Sequence, residues 1–232
     1  FDYVIQSFNK FKELSKGSSD NLSAVEQEIQ YCLNAKELIK FPVDVMFQSL
    51  GKNINSPFSD YYPFVTDDEA YMVFNSKRPV KKDAQKLENA QYQNSIFLSK
   101  VVNGSYAEAT VIGEPICEGN TGEEVIGMSG KGDILLIYKA DKSGKGRIYI
   151  SKMNAQGYFS KPDLLPEPIN GQGDEIAACI SADGNEIYFA SDRKGGFGGT
   201  DIYVCRKLPN GKWSDIKNCG VGVNTPMNED FP

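Results

Sequence analysis

Histidine is absent from all 232 residues. Without an imidazole there is no Ser-His-Asp triad, no Cys-His pair and no His-ligated zinc or iron, so most of the common hydrolase machinery is missing. Long apolar runs are missing too. The longest, Ile134 to Tyr138, has five residues, whereas a bilayer-spanning helix needs ~20, so no transmembrane segment is expected. Nor is there a basic excess: 25 Lys plus Arg face 31 Asp plus Glu, a net charge of −6, which removes the general pull toward phosphate backbones. No nucleic-acid partner is expected. The five cysteines (Cys32, Cys117, Cys179, Cys205, Cys219) form no CxxC and no even framework, and read as small apolar core residues. The chain opens at Phe1 with neither Met nor a charged-then-apolar leader, which reads as an excised segment or a mature product. What is present is ordinary for a globular chain, 40% apolar and 24% charged, which excludes disorder and low complexity.

Up to Phe41 the pattern is helical. Val4, Phe8, Phe11 and Leu14 fall on one stripe that Gly17 closes. Ser23 and Glu26 have the spacing of a capping box, in which hydroxyl and carboxylate satisfy two orphan N–H groups reciprocally. Val25, Ile29, Cys32, Leu33, Leu38 and Ile39 give a second apolar face, ended by Pro42. Residues 1–41 are therefore expected to form a helical hairpin, and residues 42–232 a second domain.

Beyond Pro42 the chain repeats itself. Ile54, Ile116, Ile169 and Val223 open successive units 62, 53 and 54 residues apart. Each opener is followed by an acid: Asp60, Glu123, Glu175 and Glu229. Then come a strand, a tight turn, a second strand, a third (Ser95-Ile-Phe-Leu, Arg147-Ile-Tyr-Ile, Asp201-Ile-Tyr-Val) and a fourth starting near Tyr106, Phe159 and Trp213. Turns such as Asp183-Gly184 and Asn210-Gly211 suit hairpins. A repeated four-stranded meander is a propeller blade, and strands apolar on both sides, such as Ile134 to Tyr138, fit blades covered by neighbours on both faces. The expected fold is mainly β: a partial β-propeller with blades at about 50–110, 111–164 and 165–219, a fourth beginning at 220, and an N-terminal helical hairpin. Three blades do not close a ring, so the polypeptide is expected to continue. Val43 to Phe47 is the candidate outer strand that closes it.

Ser181, Asp183, Gly184, Ile187, Phe189, Ser191, Arg193, Gly195, Gly196, Gly198, Gly199, Asp201, Ile202 and Tyr203 match, position by position, a motif that resembles the TolB-type, WD40-like propeller repeat. Pro63, Thr66, Asp68, Phe74, Ser76 and Arg78 match it in part, and the middle unit keeps only Ser129 and its apolar strand. Two tetratricopeptide-like helices followed by Leu50-Gly-x-x-Ile-Asn-Ser56 look like OmpA-family proteins of the PorE kind. That resemblance implies a non-enzymatic binding or scaffold module, periplasmic and outer-membrane-associated, in type IX secretion. Its partners would be outer-membrane or secretion-system proteins, with peptidoglycan bound only through regions outside this chain. The rival readings are a propeller gating a serine peptidase and a glycan-binding propeller.

No residue set points to catalysis, a metal or a cofactor. Gly195 to Thr200 lacks the Lys-Ser/Thr and the following helix of a phosphate cradle. Lys152 stands where a calcium loop beginning at Asp141 needs its bidentate Glu. Asp60, Tyr61, Tyr62, Glu123, Asp174 and Glu175 gather on the loop face of a propeller and form the candidate partner-binding rim. Against this stands a structural assignment, favoured because acid and base recur in step: the acids pair with Arg78 and Arg193 to lock neighbouring blades, together with Asp183 and Asp201. The charged stretch Lys77 to Gln93 is either a solvated excursion or a docking element unique to the first blade.

Overall fold

The computed structural model describes residues 1–15, 19–81, 84–89, 91–117 and 122–232. The chain forms two compact units, Phe1–Ser49 and Leu50–Pro232, so the division falls beyond the change of texture at Pro42.

In the first unit, α1 (Asp2–Leu14) and α2 (Ser19–Leu38) pack on each other. Lys36 at the end of α2 pairs with Asp2 at the start of α1, and Lys12 at the end of α1 lies 2.8 Å from Glu26, which makes the pair antiparallel. The expected capping box is displaced: α2 begins at Ser19, so Ser23 and Glu26 lie inside the helix and the Glu26 carboxylate is directed to Lys12. Gly17 lies outside the described residues. Val43 to Phe47 forms no strand, and Met46 and Phe47 are 92% and 95% exposed.

The second unit is a partial β-propeller of three antiparallel meanders. The first blade holds β1 (Asp60–Val65), β2 (Tyr71–Ser76) and β3 (Ser95–Val102), with a fourth strand split into β4 (Ser105–Tyr106) and β5 (Thr110–Val111), both paired to β3. The second holds β6 (Glu124–Met128), β7 (Ile134–Ala140), β8 (Gly146–Lys152) and β9 (Asp163–Leu164). The third holds β10 (Glu175–Ile180), β11 (Glu186–Ser191), β12 (Asp201–Arg206) and β13 (Lys217–Asn218). Tyr106 pairs with β3, and Phe159 and Trp213 bridge to Met153 and Lys207, one residue past β8 and β12, where the repeat places the return.

The same local chemistry makes each first hairpin. A hydroxyl at the end of the first strand accepts the backbone N–H that begins the second: Tyr71 to Thr66 at 3.3 Å, Ile134 to Ser129 at 3.0 Å and Glu186 to Ser181 at 2.9 Å. Three residues beyond each hydroxyl the chain turns left-handed, at Glu69, Gly132 and Gly184 (φ 55°, 74° and 71°). Glycine adopts that conformation without the Cβ clash that Glu69 bears. The middle blade keeps its hairpin although its sequence match is poorest.

The core lies between the blades. Leu135 and Ile137 pack with Val73, Ile96 and Val125 of the first junction, while Leu136, with Ile148, Ile187, Phe189 and Tyr203, fills the second. Alternate side chains of β7 thus bury on opposite faces, which is why the strand is apolar throughout. Each such side chain contributes roughly 1.5–3 kcal/mol.

Polar clamps set the register between blades. The buried Asn75 amide accepts from Val125 N at 2.8 Å and donates to Val125 O at 2.9 Å, tying β2 to β6. Asn170 and Asn224, in the segments that open the third and fourth units, do the same to Ile148 and Ile202 of the preceding third strand. Replacing Asn75 with Ala strands both Val125 backbone groups in a dry junction, and is expected to cost about 2–4 kcal/mol, measured by urea unfolding. A loss below about 0.5 kcal/mol would show that the clamp does not hold the junction.

Candidate functional site

The acid that opens each first strand is held inside the protein. Asp60 accepts from Arg78 (2.7 Å), Ser76 (2.6 Å) and Ser56. Glu123 lies 3.1 Å from Lys139 and is 5% exposed at its side chain. Glu175, wholly buried, takes Arg193 at 3.0 Å and Arg147 at 2.9 Å. Burial pushes the Asp60 carboxyl up, but the Arg78, Ser76 and Ser56 hydrogen bonds outweigh it and hold the group below its ordinary value. At Glu175 burial prevails over the two arginines and the shift is upward. With an arginine laid over each carboxylate, Asp60 and Glu175 leave the candidate binding rim, while Glu123 is reached only through the small cavity beside Lys139.

The structure also corrects the assignment of the arginines between blades. Arg78 donates to the Ile54 carbonyl and to Asp60, both of its own blade, and its guanidinium lies 4.7 Å from the Phe97 ring centroid and 5.3 Å from that of Phe74. Arg193 repeats the arrangement with Ile169, Glu175, Phe189 and Tyr203. The side chain folds back over the aromatic pair of its own second and third strands and cannot reach the next blade. Asp183 stays in its turn, accepting from Ser181 and Asn185, and Asp201 accepts from Phe197, Gly198 and Asn218 of its own blade. Among the described residues, Arg147 to Glu175 is an ion pair that does cross a junction. A bond from Gly146 N to Asp174 Oδ1 (2.6 Å) supports it, as does one at the other junction from the Tyr61 hydroxyl to Glu124 Oε1 (3.1 Å). Sequence reasoning missed Arg147, although its place at the head of Arg147-Ile-Tyr-Ile, aligned with Ser95 and Asp201, marked it as the basic exception.

What remains open on the rim is aromatic. A β-bulge interrupts the first strand of every blade, between Tyr61 and Phe64, Val125 and Gly127, and Glu175 and Ala177. Such bulges re-aim the side chains beside them. Tyr62, at a left-handed φ of 53°, sits with its ring centroid 4.9 Å from Tyr61 and 4.8 Å from Phe231. Phe231 has the same φ of 53° at the matching position of the fourth unit, so the start of that unit meets the start of the first. Phe231 is 58% exposed. Glu124, half-buried beside Tyr61, has its carboxyl pushed up by burial, and burial followed by the Glu124 charge pushes the Tyr62 hydroxyl up. Tyr61, Tyr62, Glu124 and Phe231 form a compact amphipathic patch able to stack on an apolar or ring-shaped group and hydrogen-bond its edge.

A separate depression of about 670 Å³ lies between the second and third blades, lined by Lys145, Arg147, Gln172, Asp192, Arg193 and Lys194 among others. Its two guanidinium groups are committed to Glu175 and to backbone carbonyls. The Asp141 turn beside it is a hydrogen-bonded loop, with Asp141 Oδ1 accepting from Ser143 and Lys145. Among the described residues no cluster of His, Cys, Asp and Glu has the makings of a metal site, and no helix is long and apolar enough to cross a membrane.

No family model matches the chain, and no curated protein does. Similar solved structures include TolB from Acinetobacter baumannii, at 18% identity and a TM-score of 0.44 over 70% of this chain and 33% of that one. A putative TolB from Agrobacterium tumefaciens shows 17% identity and a TM-score of 0.43 over 76% and 66%. A Hadza microbial sialidase shows 11% and 0.43 over 72% and 34%. The chain thus spans about a third of the Acinetobacter protein and of the sialidase. What makes the fold a propeller is its own thrice-repeated meander.

Arg193→Ala is expected to lower stability by about 3 kcal/mol, because it leaves the buried Glu175 and two carbonyls short of donors. Arg193→Lys should restore only part, since one ammonium cannot replace a planar fork. Urea unfolding reads both, and an unchanged midpoint for Arg193→Ala contradicts the structural role. Asp60 gives a pH signature. A carboxyl whose folded value lies below its ordinary 3.8 contributes stability that is complete above that value and is lost as the pH falls through the folded one. Asp60→Asn should therefore show a flatter stability profile between about pH 4 and pH 2 than the parent. Parallel profiles would count against the assignment.

Proposed function

We propose that this chain is a non-enzymatic protein-binding and scaffold module working in the periplasm, attached to an outer-membrane assembly of the type IX secretion kind. The observation that carries the binding role is the patch of Tyr61, Tyr62, Glu124 and Phe231. It combines the exposed Phe231 ring, two half-buried tyrosine rings, a half-buried carboxylate and a rigid β-scaffold beneath. Aromatic residues anchored on rigid strands are the usual energetic centres of protein interfaces. An enzymatic reading has less to stand on, since Asp60, Glu123 and Glu175 each lie beside a cation. The compartment and the secretion context rest on the repeat motif and on the order of helices, Leu50-Gly-x-x-Ile-Asn-Ser56 and propeller. The charged stretch from Lys77 belongs to the same proposal as an accessory docking element: Lys77 bonds to Gln91, and Tyr92 packs edge-on against Phe58.

A glycan reading has one observation of its own, the pairing of an aromatic ring with a neighbouring carboxylate, which also suits a sugar. Tyr62→Ala separates the two when the protein is used to capture periplasmic partners and, in parallel, is titrated with peptidoglycan fragments. The substitution is expected to leave the melting temperature within about 2 °C of the parent and to weaken protein capture at least tenfold, roughly 1.4 kcal/mol. Unchanged capture would sink the proposal. Saturable binding of sugar fragments, lost in Tyr62→Ala, would favour the glycan reading.

A further inference from the structure

The middle blade differs from its neighbours at one interior position. In the third blade the Arg193 guanidinium touches six residues: the carbonyls of Pro168 and Ile169, the carboxylate of Glu175, the hydroxyl of Ser191, and the rings of Phe189 and Tyr203. Arg78 occupies the matching place in the first blade. In the middle blade the aligned position is Asp141, whose side chain turns away to Arg147 and its own loop. The equivalents of the six Arg193 contacts are Pro115, Ile116, Glu123, Lys139, Ile137 and Tyr149. All six line a single cavity of about 130 Å³, completed by Lys161 and Pro162. It opens to the surface at Pro115 and Lys161, both exposed.

We propose that this cavity is a guanidinium-binding site, filled in the other two blades by the chain's own arginine and in this one by an arginine-like group from outside. No described residue donates to the Pro115 or Ile116 carbonyl, whereas Arg193 uses both of their counterparts. Tyr149 supplies the aromatic face that Tyr203 presents to Arg193. Lys139 already lies 3.1 Å from Glu123, and this does not close the site. Glu175 holds two cations at once, at 2.9 and 3.0 Å, so an incoming guanidinium shares Glu123 with Lys139 as Arg193 shares Glu175 with Arg147. The matching acceptors in the third blade surround a planar guanidinium beside the Tyr203 ring, an arrangement that suits a flat fork of donors better than a compact ammonium. The site stands apart from the Tyr62 patch, and the two are tested by different variants.

The test titrates the protein with N-acetylarginine amide and N-acetyllysine amide, probes of equal charge, following backbone and methyl NMR resonances. The arginine probe is expected to shift Ile116, Ile137 and Tyr149 and to bind about tenfold more tightly than the lysine probe. Tyr149→Leu should remove the preference. Lys139→Ser, which installs the residue found at Ser76 and Ser191, should tighten arginine binding and increase the thermal stabilisation it gives, because the Lys139 ammonium then no longer competes for Glu123. The peptide Gly-Arg-Gly distinguishes sources. Tighter binding than the amide identifies a polypeptide side chain and equal binding a free small guanidinium, and both support the site. Equal affinity for the two amides, shifts elsewhere on the protein, or displacement of the arginine probe by inorganic phosphate at constant ionic strength would overturn it.

Discussion

A carboxylate buried where each first strand begins must be neutralised in place, and the rest of the propeller is arranged around that requirement. An isolated carboxylate in such surroundings carries a penalty far larger than one hydrogen bond recovers. Asp60 and Glu175 are therefore met by an arginine two residues past the end of the second strand of their own blade. The arginine then dictates more than charge. Its plane needs aromatic neighbours, supplied by the near-parallel pairs Phe74 with Phe97 and Phe189 with Tyr203, whose planes are 28° and 26° apart. Its remaining donors need the carbonyls of the opener, which fixes how the chain enters each blade. One ion pair thereby couples the opener, the inner strand and the two middle strands of a blade.

Blades are joined by a different kind of contact. Apolar packing supplies most of the attraction, but flat apolar faces slide, so the junctions carry polar groups aimed at the backbone. Asn75 grips Val125, Asn170 grips Ile148 and Asn224 grips Ile202, each through both ends of the amide. A backbone pair offers one N–H and one C=O at fixed spacing, and the carboxamide is the side chain that answers both. Where the second unit opens, Cys117 stands in the amide's place, its thiol pushed up to about 11, chiefly by burial. That junction relies on Asn75 and on the Tyr61 to Glu124 bond.

Much of this was legible in the sequence because it is repeated. The hairpin hydroxyls, the openers and the return strands at Tyr106, Phe159 and Trp213 fall at matching positions, and a repeat at fixed spacing constrains the fold more tightly than the propensity of any single segment. The same repetition hid which acid an arginine meets. Arg193 is equally in step with the acid of its own blade and with the one that follows, and periodicity does not distinguish them. Only the path of the side chain over Phe189 does so. The start of α2 was misplaced for a related reason, since Ser19 and Ser23 are one helical turn apart and both suit a cap. The apolar character of Val43 to Phe47 suggested a strand, but a strand needs an edge to pair with, and composition does not reveal whether one is present.

An internal repeat also serves as its own control. Where three copies agree, the residue answers a demand of the fold: a hydroxyl in the hairpin, an acid at the opener, an apolar residue on each face of β7. Where one copy departs and the departure leaves space or exposed rings, packing gives no account of it. Tyr62 and Phe231 share a left-handed conformation that Val125 and Ala177, at the same distance past the opening acid, do not adopt. Asp141 stands where two blades carry arginine. Stability alone would favour filling that interior space, since burying an arginine stem over an aromatic pair and satisfying two carbonyls is what the neighbouring blades do. The middle blade keeps an acid at Glu123, a ring at Tyr149 and opener carbonyls to which no described residue donates, without the arginine they surround elsewhere, and a group supplied by another molecule meets the same physical demand.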